Sequence, residues 1–159
     1  MLHALATRWP EYLIEAWGLG LFMVSACAFA TLLWHPSSPG SRAIRSETAR
    51  RALMGIAMGL TAVGIIYSPW GQRSGAHINP ATTWAFFRLG KVHGWDAVFY
   101  TVFQFLGAVG GTALAIALLG RRRVGDPSVS YVETLPGRRG VGVAFLTELL
   151  MSFGMMTMV

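Results

Sequence analysis

Four long apolar runs, separated by loops that hold most of the arginines, constrain this chain more than any other feature. A bilayer core is about 30 Å thick, and an α-helix needs ~20 apolar residues to cross it. The first run, Tyr12 to Trp34, meets that length with one charge, Glu15, and is bracketed by Trp9 and Trp34. Indole rings favour the head-group boundary. The second run, Ala52 to Ser68, follows Arg50 and Arg51 and lies near the short limit; Pro69 then acts as a breaker. The third, Ala97 to Leu119, has Gln104 as its most polar member and ends on Arg121 to Arg123. The fourth begins near Val141 and is still apolar at Val159, with Glu148 inside it and no closing anchor. The expected fold is an all-α membrane protein with spans at about 12–34, 52–68, 97–119 and 141–159.

Charge supports this reading. Charged residues make up 13% of the chain, against roughly a quarter in soluble domains. The formal net charge of +6 falls largely in the loops, at Arg42, Arg45, Arg50, Arg51, Arg121, Arg122, Arg123, Arg138 and Arg139. Beside a membrane, the lipid bilayer's anionic head groups are the counter-charge. Lys91 is the only lysine, and no aromatic–basic interleaving is present, so nucleic acid is not an expected partner. A single cysteine, Cys27, excludes an internal disulfide and any CxxC metal motif. The run Val24–Cys27 does not read as a lipoprotein signal, because Glu15 interrupts the would-be apolar core and the apolar run continues to Trp34.

Between the second and third runs lies a segment of another kind, 71–90. Its first part, Gly71 to Ile78, is polar and glycine-rich and is expected to be irregular. Its second part has the signals of a short helix: Asn79 as N-cap, Pro80 at the first helical position and Gly90 at the C-terminus. About ten helical residues reach roughly 15 Å, half a bilayer core. A half-length helix preceded by irregular backbone describes a re-entrant segment, which is tolerated at membrane depth only where protein or a water-filled cavity satisfies the backbone. The helix N-terminus would then lie near the membrane centre, with its unpaired amides and positive dipole end. The Asn79 amide would offer donors to a passing neutral molecule. His77 has no His, Cys or carboxylate near it in sequence, so a structural hydrogen bond is expected of it rather than metal binding. Nothing assembles a nucleophile, base and oxyanion site, so the chain does not read as an enzyme and implies no cofactor and no metal.

The octet Ser74 to Ala81, SGAHINPA, sits between two apolar runs and resembles the signature of the major intrinsic protein family, the aquaporins and aquaglyceroporins. The likeness extends to Glu15-Ala16-Trp17-Gly18 in the first run, to QFLGA from Gln104 in the third and to Glu148 in the fourth. Positions 14–22 and 147–155 echo each other around their glutamates, as in an inverted repeat.

The resemblance implies three spans, a re-entrant half-helix and the start of a fourth span, all within the N-terminal part of one channel domain. It implies passive transport of water or small neutral solutes such as glycerol. Asn79, Pro80 and Ala81 would be the pore motif, and Gly75, Ala76, His77 and Ile78 the pore-lining loop. Glu15, Glu148 and Gln104 would support re-entrant backbone, and Met58 would occupy the selectivity position of the second helix. In this family the positive ends of half-helices exclude protons and cations. Thr82 stands where the family commonly has valine.

The hourglass pore of the family has two half-helices, so a second Asn-Pro-Ala half is expected beyond this chain, with a homotetramer at full length. The expected location is a multi-pass position in a bacterial inner (plasma) membrane. The resemblance puts the N-terminus in the cytoplasm and the arginine-rich loops outside, whereas the arginine bias alone favours the reverse. A second functional reading stays open, in which the chain is a non-conducting membrane fragment or interaction subunit that keeps only the fold signature.

Overall fold

The computed structural model describes residues 1–137 and 139–157. Arg138 and the last two positions of the expected fourth span therefore lie outside the described residues. Helices α1 (Leu2–Trp34), α3 (Glu47–Ile66) and α6 (Gly94–Leu119) are each long and apolar enough to cross a membrane. Shorter helices join or follow them: α2 (Pro39–Ala43), α4 (Pro69–Ser74), α5 (Pro80–Arg88), α7 (Arg121–Val124) and α8 (Val141–Met156). No strand occurs among the described residues. The chain is an all-α, multi-pass integral membrane protein.

Helix α1 extends ten residues before the apolar run that announces it and carries Pro10 within it. At 33 residues it is about 50 Å long, more than a bilayer core needs. Pro69 is not simply a breaker. Ser68 caps the next helix by accepting the Gly71 amide at 2.9 Å, and Pro69 takes the first helical position. Gly75, at φ +90°, closes that turn. The expected irregular stretch is thereby shortened to 75–79.

Inside and outside are exchanged relative to a water-soluble protein. Val109 and Leu118 on α6 are 70% and 68% exposed, whereas Glu15, Gln104 and Thr83 are fully buried. Lipid accepts the first kind of surface and penalises the second unless it is enclosed. The helices that enclose the polar groups are α1 and α6, which pack along most of their lengths, with α3 and α4 against α1 and α5 against α6.

Close approach of α1 and α6 depends on small residues. A Cβ on Gly107 would stand 2.0 Å from the Ala16 carbonyl oxygen, and one on Gly111 2.2 Å from that of Gly20. The spacing pair Gly107/Gly111 is thus a helix–helix contact. The similar pair Gly55/Gly59 on α3 faces open space. Helix α8 has no substantial packing against the other helices among the described residues.

This contact predicts a graded effect along one helix. Gly111→Ala should lower thermal stability in lipid by about 1–3 kcal/mol, because backbone on both sides cannot yield. Gly110→Ala, which would enter open space, should leave the melting temperature unchanged or raise it.

Candidate functional site

The re-entrant segment passes between α1 and α6, and one side chain holds most of its turn. Glu15 on α1 accepts four hydrogen bonds. Its Oε1 takes the Ser74 hydroxyl at 2.8 Å and the His77 amide at 3.0 Å. Its Oε2 takes the Ile78 amide and Gln104 Nε2, both at 2.8 Å. Four donors fill the lone-pair directions of a carboxylate. Each is a charge-assisted bond in a site closed to water, where such bonds are strongest.

The backbone they hold is unusual. Gly75, Ala76 and Ile78 all have positive φ, at +90°, +45° and +39°. For the two residues with side chains, this region costs of order 1–3 kcal/mol each and persists only when the surroundings impose it. Here the Ser74 hydroxyl accepts the Ala76 amide at 3.1 Å, and Glu15 takes the two amides that follow. With the His77 and Ile78 amides directed to Glu15, the carbonyl oxygens beside them can turn the other way.

Gly18, one turn after Glu15, makes room for the turn: a Cβ there would stand 2.8 Å from Ile78 Cγ2. The echoing residue Glu148 is exposed on α8 and is not brought to this segment. It shares Glu15's sequence setting but not its surroundings.

A second layer, outside the residues singled out from sequence, fixes the half-helix. Thr83 Oγ1, one turn after Asn79, lies 3.1 Å from His77 Nδ1, donates to the Asn79 carbonyl at 3.3 Å and accepts from Gln104 Nε2 at 3.1 Å. Tyr100 donates to the Ser74 carbonyl at 2.8 Å. The His77 ring packs against Phe86 in a tilted pair and against Tyr100 edge-on, each centroid 5.1 Å away. Its Nδ1 makes a hydrogen bond within the re-entrant segment, to Thr83.

Asp96 and Tyr100 had a readable signal. With Gln104 they are spaced i, i+4, i+8 on a largely apolar helix, so the three form one polar stripe. Asp96 heads that stripe and ties it to α1, accepting from Arg8 Nη1 and Tyr12 Oη, both at 2.7 Å.

Helix α5 starts at this depth. Asn79 Oδ1 accepts the Ala81 amide at 2.8 Å, which fixes the side-chain orientation and leaves the Nδ2 donors turned away from the helix. Nine residues later the helix ends in a Schellman closure, with Lys91 N to Phe86 O at 2.9 Å and Gly90 N to Phe87 O at 3.0 Å. Gly90 sits at φ +70° there. The helix is therefore about 14 Å long, half a hydrocarbon core. Met58 is partly buried on α3, two turns from Ile65 on the same face, and Ile65 approaches Gly18 beside Ile78.

The second layer makes its own prediction. Thr83→Val keeps the shape but leaves Gln104 and the Asn79 carbonyl short of a partner, at a cost of about 1–3 kcal/mol. Thr83→Ser should restore most of the loss. The melting temperature in lipid, compared across the three chains, reads both changes.

Known proteins are similar to this chain in sequence. The family model described as Major intrinsic protein matches residues 3–159. A probable aquaporin AqpM of Archaeoglobus fulgidus is 38% identical over 106 residues, covering 67% of this chain and 42% of that protein. Aquaporin-B of Dictyostelium discoideum is 35% identical over 101 residues, 62% of this chain and 34% of its own length. Aquaporin A of the same organism is 31% identical over 111 residues, 69% of this chain and 38% of its own length. The chain thus spans about two fifths or less of these relatives. With a family match over nearly its whole length, a polar core around Glu15 and a capped half-helix between apolar spans, this chain belongs to the major intrinsic protein family.

Proposed function

We propose that the chain forms one re-entrant half, the N-terminal part, of a passive channel for water or small neutral solutes such as glycerol. The observation that carries this reading is the half-helix α5. Its N-terminus is capped by Asn79 Oδ1, so that the Asn79 Nδ2 donors remain unused beside a backbone strip held open by Glu15. A neutral molecule with an oxygen acceptor can exchange a water hydrogen bond for one to Asn79. A cation meets the positive end of the helix.

In this reading Asn79, Pro80 and Ala81 form the pore motif, the carbonyls of Gly75 to Ile78 line the path, and Met58 narrows it on the arginine-rich side. A second half-helix from the opposite leaflet completes the pore, in a homotetramer. No chemical step is involved, and transport follows the solute gradient.

Stopped-flow light scattering on proteoliposomes tests the proposal. The purified chain alone should give water and glycerol permeability near that of empty liposomes. Co-reconstitution with the second half of an aquaporin relative should raise it, and Asn79→Asp in that assembly should lower it again. Solute-selective permeability from the chain alone would contradict the half-channel reading, as would an assembly indifferent to Asn79.

A further inference from the structure

At the opposite end of α1 from Arg8, a cavity of about 270 Å³ opens between the last turns of α1, the turn leading into α2, and the junction of α6 with α7. Its wall is divided in kind. Ala28, Leu32 and Leu119 supply apolar lining, while Thr31, Ser37 and Arg123 supply polar lining. Trp34, the last residue of α1, follows directly and marks head-group depth.

Two of the polar groups are unused. Among the described residues Arg123 has no ion pair and its guanidinium has no hydrogen bond. Thr31 is nine-tenths buried, and among the described residues its hydroxyl has no partner. The neighbouring groups are satisfied within the fold. Ser37 and His35 Nδ1 bond each other at 2.8 Å, and Ser38 caps α2. The carboxylate of Asp126 is not part of the lining. It accepts from Ser128 N and Oγ, and it faces His35 Nε2 at 4.0 Å.

From this division we infer that the cavity holds the head group of an anionic phospholipid. The phosphate sits on Arg123 with Thr31 beside it, and the upper acyl methylenes lie on Ala28, Leu32 and Leu119. An arginine pairs with phosphate through two parallel N–H donors. The apolar lining at the bilayer boundary favours a lipid over free phosphate, which has nothing to place there. Small-molecule pockets run from about 300 Å³ upward, so this one suits a head group and its first methylenes rather than a whole lipid. Arg121 and Arg122, on the same short helix, do not line it.

Native mass spectrometry of the chain released from vesicles of phosphatidylglycerol and phosphatidylcholine tests the assignment. The wild-type chain should retain phosphatidylglycerol, and Arg123→Gln should weaken retention about tenfold, the loss of a charge-assisted hydrogen bond to the phosphate. Arg122→Gln should retain it as the wild type does, and Thr31→Val should weaken it without lowering the yield of folded chain. Equal retention in the Arg122 and Arg123 variants would reduce the effect to bulk charge and overturn the site. A thermal shift with inorganic phosphate in detergent should show no Arg123-dependent stabilisation; if it does, a free phosphate occupies the cavity and the lipid assignment fails.

Discussion

A single buried carboxylate decides whether this chain can carry irregular backbone at membrane depth. Unpaired amides facing hydrocarbon cost several kcal/mol each, and no backbone carbonyl takes those of His77 and Ile78 among the described residues. Glu15 does so from another helix, with four bonds between 2.8 and 3.0 Å. The charge is affordable only because every lone pair is used; a buried carboxylate with fewer partners would be the larger penalty. The left-handed Ala76 and Ile78 follow from the same contact, since their strain is the geometry that aims successive amides at one group.

The rest of the bundle places that carboxylate. Glu15 meets Gln104 because α1 and α6 touch backbone to backbone at Ala16/Gly107 and Gly20/Gly111. The same two helices are pinned at one end by Arg8, Tyr12 and Asp96. In water, such polar groups would be the exterior and the exposed leucines the core. In lipid the order inverts, and the polar stripe of α6 becomes the most specific packing surface in the molecule.

Much of this was legible in the sequence because membrane helices and caps leave local signals. Asn79, Pro80 and Gly90 announce a half-length helix by cap chemistry alone, and the helix found is Pro80–Arg88. The same rules applied to Ser68, Pro69 and Gly75 point to α4, where a proline after an apolar run is a first helical position as well as an ending. Thr83 is not legible in this way, because a hydroxyl on an apolar helix gives no sign of its partner until two helices are packed. The reverse holds for Glu148: its sequence echo of Glu15 is real, yet α8 does not pack against α4 and α5, and no pattern within one segment reports that.

The central claim is that Glu15 holds the turn rather than merely occupying its neighbourhood. Backbone hydrogen exchange of the chain in lipid, wild type against Glu15→Gln, measures this at the residues concerned. Glutamine presents an NH₂ group where one oxygen accepted, so it must leave donors unpaired. The account predicts that the His77 and Ile78 amides are protected in the wild type and exchange faster in the variant, with α6 amides such as that of Ala113 unchanged. Equal protection of His77 and Ile78 in both chains would show that the turn holds without the carboxylate, and would contradict the account.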